Sequence, residues 1–136
     1  MREISLRAWD KEKNIMIIDL ISFGKNKDGT TWISHSNTFN NSKNGYMWGC
    51  RNLEIMQFTG LTDCHGTKIY DGDIVKANGY VDAKYIIKWD ESSASWFPKL
   101  LNPEYGCTYG TTWKDQICND EVIGNIYENS NLLNNE

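Results

Sequence analysis

The sequence predicts an all-β barrel or sandwich, and three observations carry that expectation. Short stretches alternate apolar and polar residues with a period of two. Turns rich in Gly, Asn and Asp separate them at intervals of roughly ten residues. No long segment repeats its apolar positions at the helical period of about 3.6 residues.

Ile4, Leu6 and Ala8 alternate with Ser5, Arg7 and Trp9, a strand pattern. Residues 10–14, DKEKN, form a charged turn, and the apolar run Ile15 to Leu20 has strand length, so the chain is expected to open with a hairpin whose loop is about five residues. From Gly24 to Gly49 the composition shifts to Gly, Asn, Ser, Thr and Lys, with Trp32, Phe39, Tyr46 and Trp48 spaced through it. Those aromatic residues argue against simple disorder and favour irregular strands with a long loop. Leu53 to Phe58 is apolar but too short to tell a strand from a helical turn. Gly60 is expected to end that stretch, and Gly66 to permit a turn within residues 62–68, TDCHGTK. Asp71-Gly72-Asp73 reverses the chain before the apolar strand Ile74 to Ala77. Between Lys84 and Asp90, Tyr85, Ile87 and Trp89 fall on one face and Lys84, Lys88 and Asp90 on the other. Pro98 confines the strand beginning at Ser95 to an edge or an ending. Residues 102–120 read as a polar loop carrying Tyr105, Tyr109 and Trp113. Val122 to Tyr127 is a last strand, and the tail from Asn129 holds one helical turn capped by Ser130.

The chain has 136 residues, 40% of them hydrophobic, enough for a conventional core without metals or disulfides. Fourteen Lys and Arg against 18 Asp and Glu give a net charge of −4. That balance excludes attachment to nucleic acid by bulk electrostatics, which needs a basic face. No apolar run approaches the ~18 residues of a membrane span, and the first residues lack the apolar stretch of a signal peptide. A cytoplasmic protein with reduced thiols is expected.

Residues 57–77, QFTGLTDCHGTKIYDGDIVKA, closely resemble the signature of the YopX-like proteins, small proteins encoded by bacteriophages and prophages. Residues 7–10, RAWD, resemble that family's opening motif, and residues 122–128, VIGNIYE, its closing one. The positions carrying the resemblance are Arg7, Trp9, Asp10, Gly60, Gly66, Asp71, Gly72, Asp73 and Gly124. The resemblance implies a mainly β fold with a small SH3-like barrel in its C-terminal part and an N-terminal β-hairpin extension. A single domain is expected: hairpin and irregular region over 1–49, barrel-like part over 50–128, tail over 129–136. It also implies a phage setting inside a bacterial host, and it carries no catalytic residues and no cofactor.

Residue chemistry agrees with that silence. Cys50, Cys64, Cys107 and Cys118 show no C-x-x-C spacing, which argues against a zinc site, and although four cysteines allow two disulfides, a chain expected in a reducing compartment keeps them as free thiols. Cys64-His65 is the one pair that tempts a nucleophile reading, but neighbours on an extended chain point to opposite faces. Asp71 with Asp73, and Asp63 with His65, read as turn chemistry rather than acid–base or metal pairs, and His35 reads as a solvated loop residue. Arg7 and Asp10 flank Trp9 in a way that suits an ion pair over the indole. Aromatic residues interleaved with Lys84, Lys88, Lys99 and Lys114 offer a platform for single-stranded nucleic acid, although Tyr85, Trp89 and Trp96 serve equally to fill a small barrel. The loop aromatics Tyr46, Trp48, Tyr105, Tyr109 and Trp113 suit a protein–protein surface. The expected function is therefore a non-enzymatic protein-binding or adaptor module that self-associates and contacts a host or phage protein. A nucleic-acid-binding accessory protein is the alternative.

Overall fold

A computed structural model describes residues 3–18, 20–35, 45–78, 83–101 and 117–133, with the backbone alone described at Ile21 and over 45–50. The described residues form strands and two short 3-10 turns, with no α-helix among them. They divide into two compact units, residues 1–57 and 58–136.

In the first unit, β1 (Leu6–Asp10) and β2 (Ile15–Ile17) make the expected hairpin, with Trp9 opposite Met16 and Asp10 opposite Ile15. Its turn is closed by Asp10, whose carboxylate accepts the amides of Glu12 (2.9 Å) and Lys13 (3.2 Å). Asp10 therefore lies on the opposite pleat from Arg7 and Trp9 and serves the turn, not an ion pair over the indole. The apolar run from Ile15 to Leu20 breaks at Ile18, which is 44% exposed. The stretch read as irregular is more regular than its composition suggests. β3 (Leu20–Lys25), β4 (Thr31–His35) and β5 (Gly45–Cys50) form a three-stranded antiparallel sheet in that order. His35 is buried on β4, not solvated in a loop.

β6 (Leu53–Thr62) settles the ambiguity at Leu53 to Phe58 as strand. It passes from one unit into the other: residues 53–57 pair with β1 and residues 58–62 with β7 (Lys68–Tyr70). Gly60 does not end this strand. It sits inside it at φ +91°, where the β6–β7 register shifts, as at a glycine bulge. Thr59 secures the shift, donating to the Ile69 carbonyl (2.8 Å) and accepting from the Leu61 amide (3.1 Å).

The second unit is built on an antiparallel sheet in the order β10-β9-β8-β11: β8 is Asp73–Lys76, β9 Lys84–Asp90, β10 Ser95–Leu100 and β11 Glu121–Asn125. β10 is the edge, as Pro98 requires, although the strand continues past the proline. Ile69 of β7 packs with Val75, Ala77, Ala83, Tyr85, Ile87, Trp96 and Ile117 into one buried cluster, with Leu61 and Val122 at its margin. Tyr85 and Trp96 fill this core as expected. Trp89 does not: it stands 44% exposed, edge-on to Trp96 with ring centroids 5.1 Å apart. The tail makes a 3-10 turn, Ser130–Leu133, in which Ser130 is the first residue and not the cap.

Candidate functional site

The central and closing motifs meet in space within the second unit, and acidic residues do the joining. Asp63, 5% exposed, accepts the His65 and Thr67 amides on Oδ1 (both 2.9 Å), which folds the turn between β6 and β7. Its Oδ2 accepts the amide of Val122 on β11 (2.9 Å), across 59 residues of chain. Burial raises this carboxyl, but the three N–H donors outweigh it and hold the group below its ordinary value of 3.8. Asp73, 1% exposed, accepts the Tyr70 amide (2.8 Å) and so closes the turn between β7 and β8. Asp71 stays in that turn, half-buried. Asp120 accepts the Asn78 amide (3.2 Å) on one oxygen and the buried Tyr85 hydroxyl on the other, while its carbonyl accepts the Cys64 amide (2.9 Å).

Two glycines complete the junction. Gly72, at φ +84°, donates to the Ile87 carbonyl (2.8 Å) and accepts from the Ile126 amide (3.0 Å), tying the β7–β8 turn to both β9 and the closing motif. Gly124 faces Asn129, whose carboxamide Oδ1 accepts the Asn125 amide (3.2 Å). A Cβ added at Gly124 would meet that Oδ1 at 2.5 Å and the Asn129 Cβ at 2.9 Å. Gly124→Ala is therefore expected to cost about 1–2 kcal/mol. In an Asn129→Gly background the added cost should largely vanish, which chemical denaturation of the four chains of that cycle measures.

The thiols and the imidazole near this junction are exposed. Cys64 is exposed, and partial desolvation together with the Asp63, Glu121 and Asp120 carboxylates pushes its thiol up, away from thiolate formation. His65 reaches Glu121 at 3.6 Å, an exposed pair of the kind that contributes little. Cys118 is also an exposed free thiol. Among the described residues no three His, Cys, Asp or Glu side chains are grouped as metal ligands.

The surface foreseen from loop aromatics is only partly within reach. Tyr105, Tyr109, Trp113 and Lys114 lie outside the described residues, and Tyr46 and Trp48 are placed by backbone alone, on β5, with Tyr46 opposite Ser34. The β9–β10 hairpin is described in full. Its register sets Lys88 opposite Phe97, Ile86 opposite Lys99 and Trp89 opposite Trp96, and β8 adds Lys76 opposite Lys84. Lys84, Lys88, Lys99 and Phe97 thus share one sheet face with the buried Ile74 and Ile86, and Tyr85, Ile87 and Trp96 lie on the other. Phe97 is 45% exposed. Sequence reasoning had the lysines but missed Phe97, since only the hairpin register shows which residues of β10 lie beside them.

A family model described as "YopX protein" matches residues 5–134. Two crystal structures are similar in fold. Protein EF1440 from Enterococcus faecalis has a TM-score of 0.63 at 19% identity, covering 98% of this chain and 100% of its own. Protein yopX from Bacillus subtilis has a TM-score of 0.54 at 19% identity, covering 97% of each. No curated protein matches the sequence.

Proposed function

The chain belongs to the YopX family, and from that premise we propose that it is a non-enzymatic binding module of phage or prophage origin. In this reading it acts in the bacterial cytoplasm as a single domain, its C-terminal part a small SH3-like barrel that presents a protein-binding surface. The observation that carries it is a contrast between acids and aromatics. Asp63, Asp73 and Asp120, which a hydrolytic or metal-dependent enzyme would turn towards a substrate, are buried on backbone and hydroxyl donors. Large apolar side chains are what reach solvent: Phe97 and Trp89 at 45% and 44%, Phe23 at 48% and Ile18 at 44%. Phe97, Trp89 and Phe23, about half-exposed on strands, are of the kind that anchors protein interfaces.

Self-association is part of the proposal, supported by Phe23 on β3, an edge strand of its sheet. Sedimentation velocity at micromolar concentration, together with affinity capture from host lysate, tests it. The expected result is a species larger than the monomer or a specifically retained host or phage protein. A monomer that retains nothing counts against the reading. The nucleic-acid alternative has less support: of the aromatic residues on the described strands of that sheet, Phe97 alone shares a face with the lysines.

A further inference from the structure

Resting on the binding-module reading, we propose that the lysine-bearing face of the β9–β10 hairpin docks an acidic polypeptide segment, with the exposed Phe97 as the apolar anchor and Lys84, Lys88 and Lys99 as its cationic surround. The cross-strand partners of these lysines are Lys76, Phe97 and Ile86, so none has a carboxylate directly opposite. Among the described residues their ammonium groups make no ion pair or hydrogen bond. Two acids share that face: Asp90, held by the Ser92 and Ser93 hydroxyls at the hairpin turn, and Glu121, which lies opposite Lys76 and 3.6 Å from His65. Three cations beside an exposed phenyl ring thus stand on a chain whose net charge is −4.

Protection of a sheet edge does not explain them. Lysine and proline do blunt exposed edges, and Pro98 with Lys99 suffices on β10. Lys84 and Lys88 lie on β9, an interior strand that pairs with β8 over residues 84–86 and with β10 over residues 85–90. Along β9 the two are separated by about 13 Å at ~3.3 Å per residue, the span of an extended segment with acids four positions apart. Charge and shape together select the occupant. A nucleic-acid strand gains little from one aromatic ring and meets net repulsion from the rest of the chain. A second copy docked about a two-fold axis would set lysine against lysine.

The test is selection of 12-residue peptides from a random display library on the immobilised full-length chain. Anisotropy then follows the synthetic form of the most enriched peptide. Enriched peptides are expected to carry two or more Asp or Glu around a large apolar residue. The Lys84→Glu/Lys88→Glu/Lys99→Glu chain should bind that peptide at least about thirtyfold more weakly, and Phe97→Ser about tenfold more weakly. Raising salt from 50 to 500 mM should weaken wild-type binding about tenfold. Both variants should unfold at the wild-type temperature, since Lys88, Phe97 and Lys99 are exposed and Lys84 is only half-buried. Enriched peptides that lack acids, or that bind the charge-reversed chain as tightly, overturn the assignment while leaving a binding module in place. So does tighter binding of a dT15 oligonucleotide than of the peptide, or a dimer that Phe97→Ser abolishes. If no peptide is enriched and the chain neither self-associates nor retains a protein, the binding-module reading fails with it.

Discussion

Asp63→Ala is expected to destabilise the second unit by about 3 kcal/mol, because it strips the acceptor from three backbone amides at once. Two of those amides shape the β6–β7 turn, and the third holds β11 against it. In a unit of this length that loss lowers the unfolding midpoint by roughly 12–24 °C. Asp63→Asn separates geometry from charge. Its oxygen can still serve His65 and Thr67, but its NH2 group then faces the Val122 amide, donor against donor, at an expected cost of about 1–2 kcal/mol. The charge also sets a pH dependence. The Asp63 carboxyl is held below 3.8 in the fold, so its contribution is complete above that value and is lost as pH falls through the lower, folded one. Wild-type stability should therefore decline below about pH 4, and the Asp63→Asn chain should lose less over the same range. Denaturant unfolding between pH 2.5 and 7 measures both.

Asp120→Ala is expected to cost about 3 kcal/mol by a related route. Tyr85 is 1% exposed, and its hydroxyl donates to Asp120; without the carboxylate a buried O–H is left without an acceptor. The Asn78 amide loses its acceptor as well. Tyr85→Phe removes the hydroxyl but keeps the ring in the core, so it should cost less, about 1–2 kcal/mol. With both changes made, the loss should fall short of the sum, since the orphaned hydroxyl is gone. A double-mutant cycle in urea measures that coupling; additive losses would mean that the two groups do not depend on each other.

The strands were legible where alternation was clean and turns were short. Lys84 to Asp90 shows its two faces directly, and the register with β10 confirms the assignment. Pro98 announced an edge because a proline has no N–H to give a neighbouring strand. Gly60 was misread, since a glycine at the end of an apolar run looks like a stop, whereas here it provides the positive φ of a bulge inside a ten-residue strand. The sheet of β3, β4 and β5 was obscured by its Ser, Thr, Asn and Gly content, which local propensity assigns to loops. The acids were recognised as turn residues, but not as long-range ties. The bond from Asp63 to Val122 joins positions that no local pattern relates. Phe97 was hidden for a similar reason, because facing positions on two strands follow from register and not from spacing within either one.

These features separate residues that build the fold from the residues proposed to face a partner. Thermal unfolding of Asp63→Asn beside Lys84→Glu/Lys88→Glu/Lys99→Glu, both as full-length chains at pH 7, tests that division most directly. The expected result is a midpoint lowered by roughly 4–16 °C for Asp63→Asn and unchanged for the charge-reversed chain. A midpoint that holds in Asp63→Asn and falls in the charge-reversed chain would contradict it.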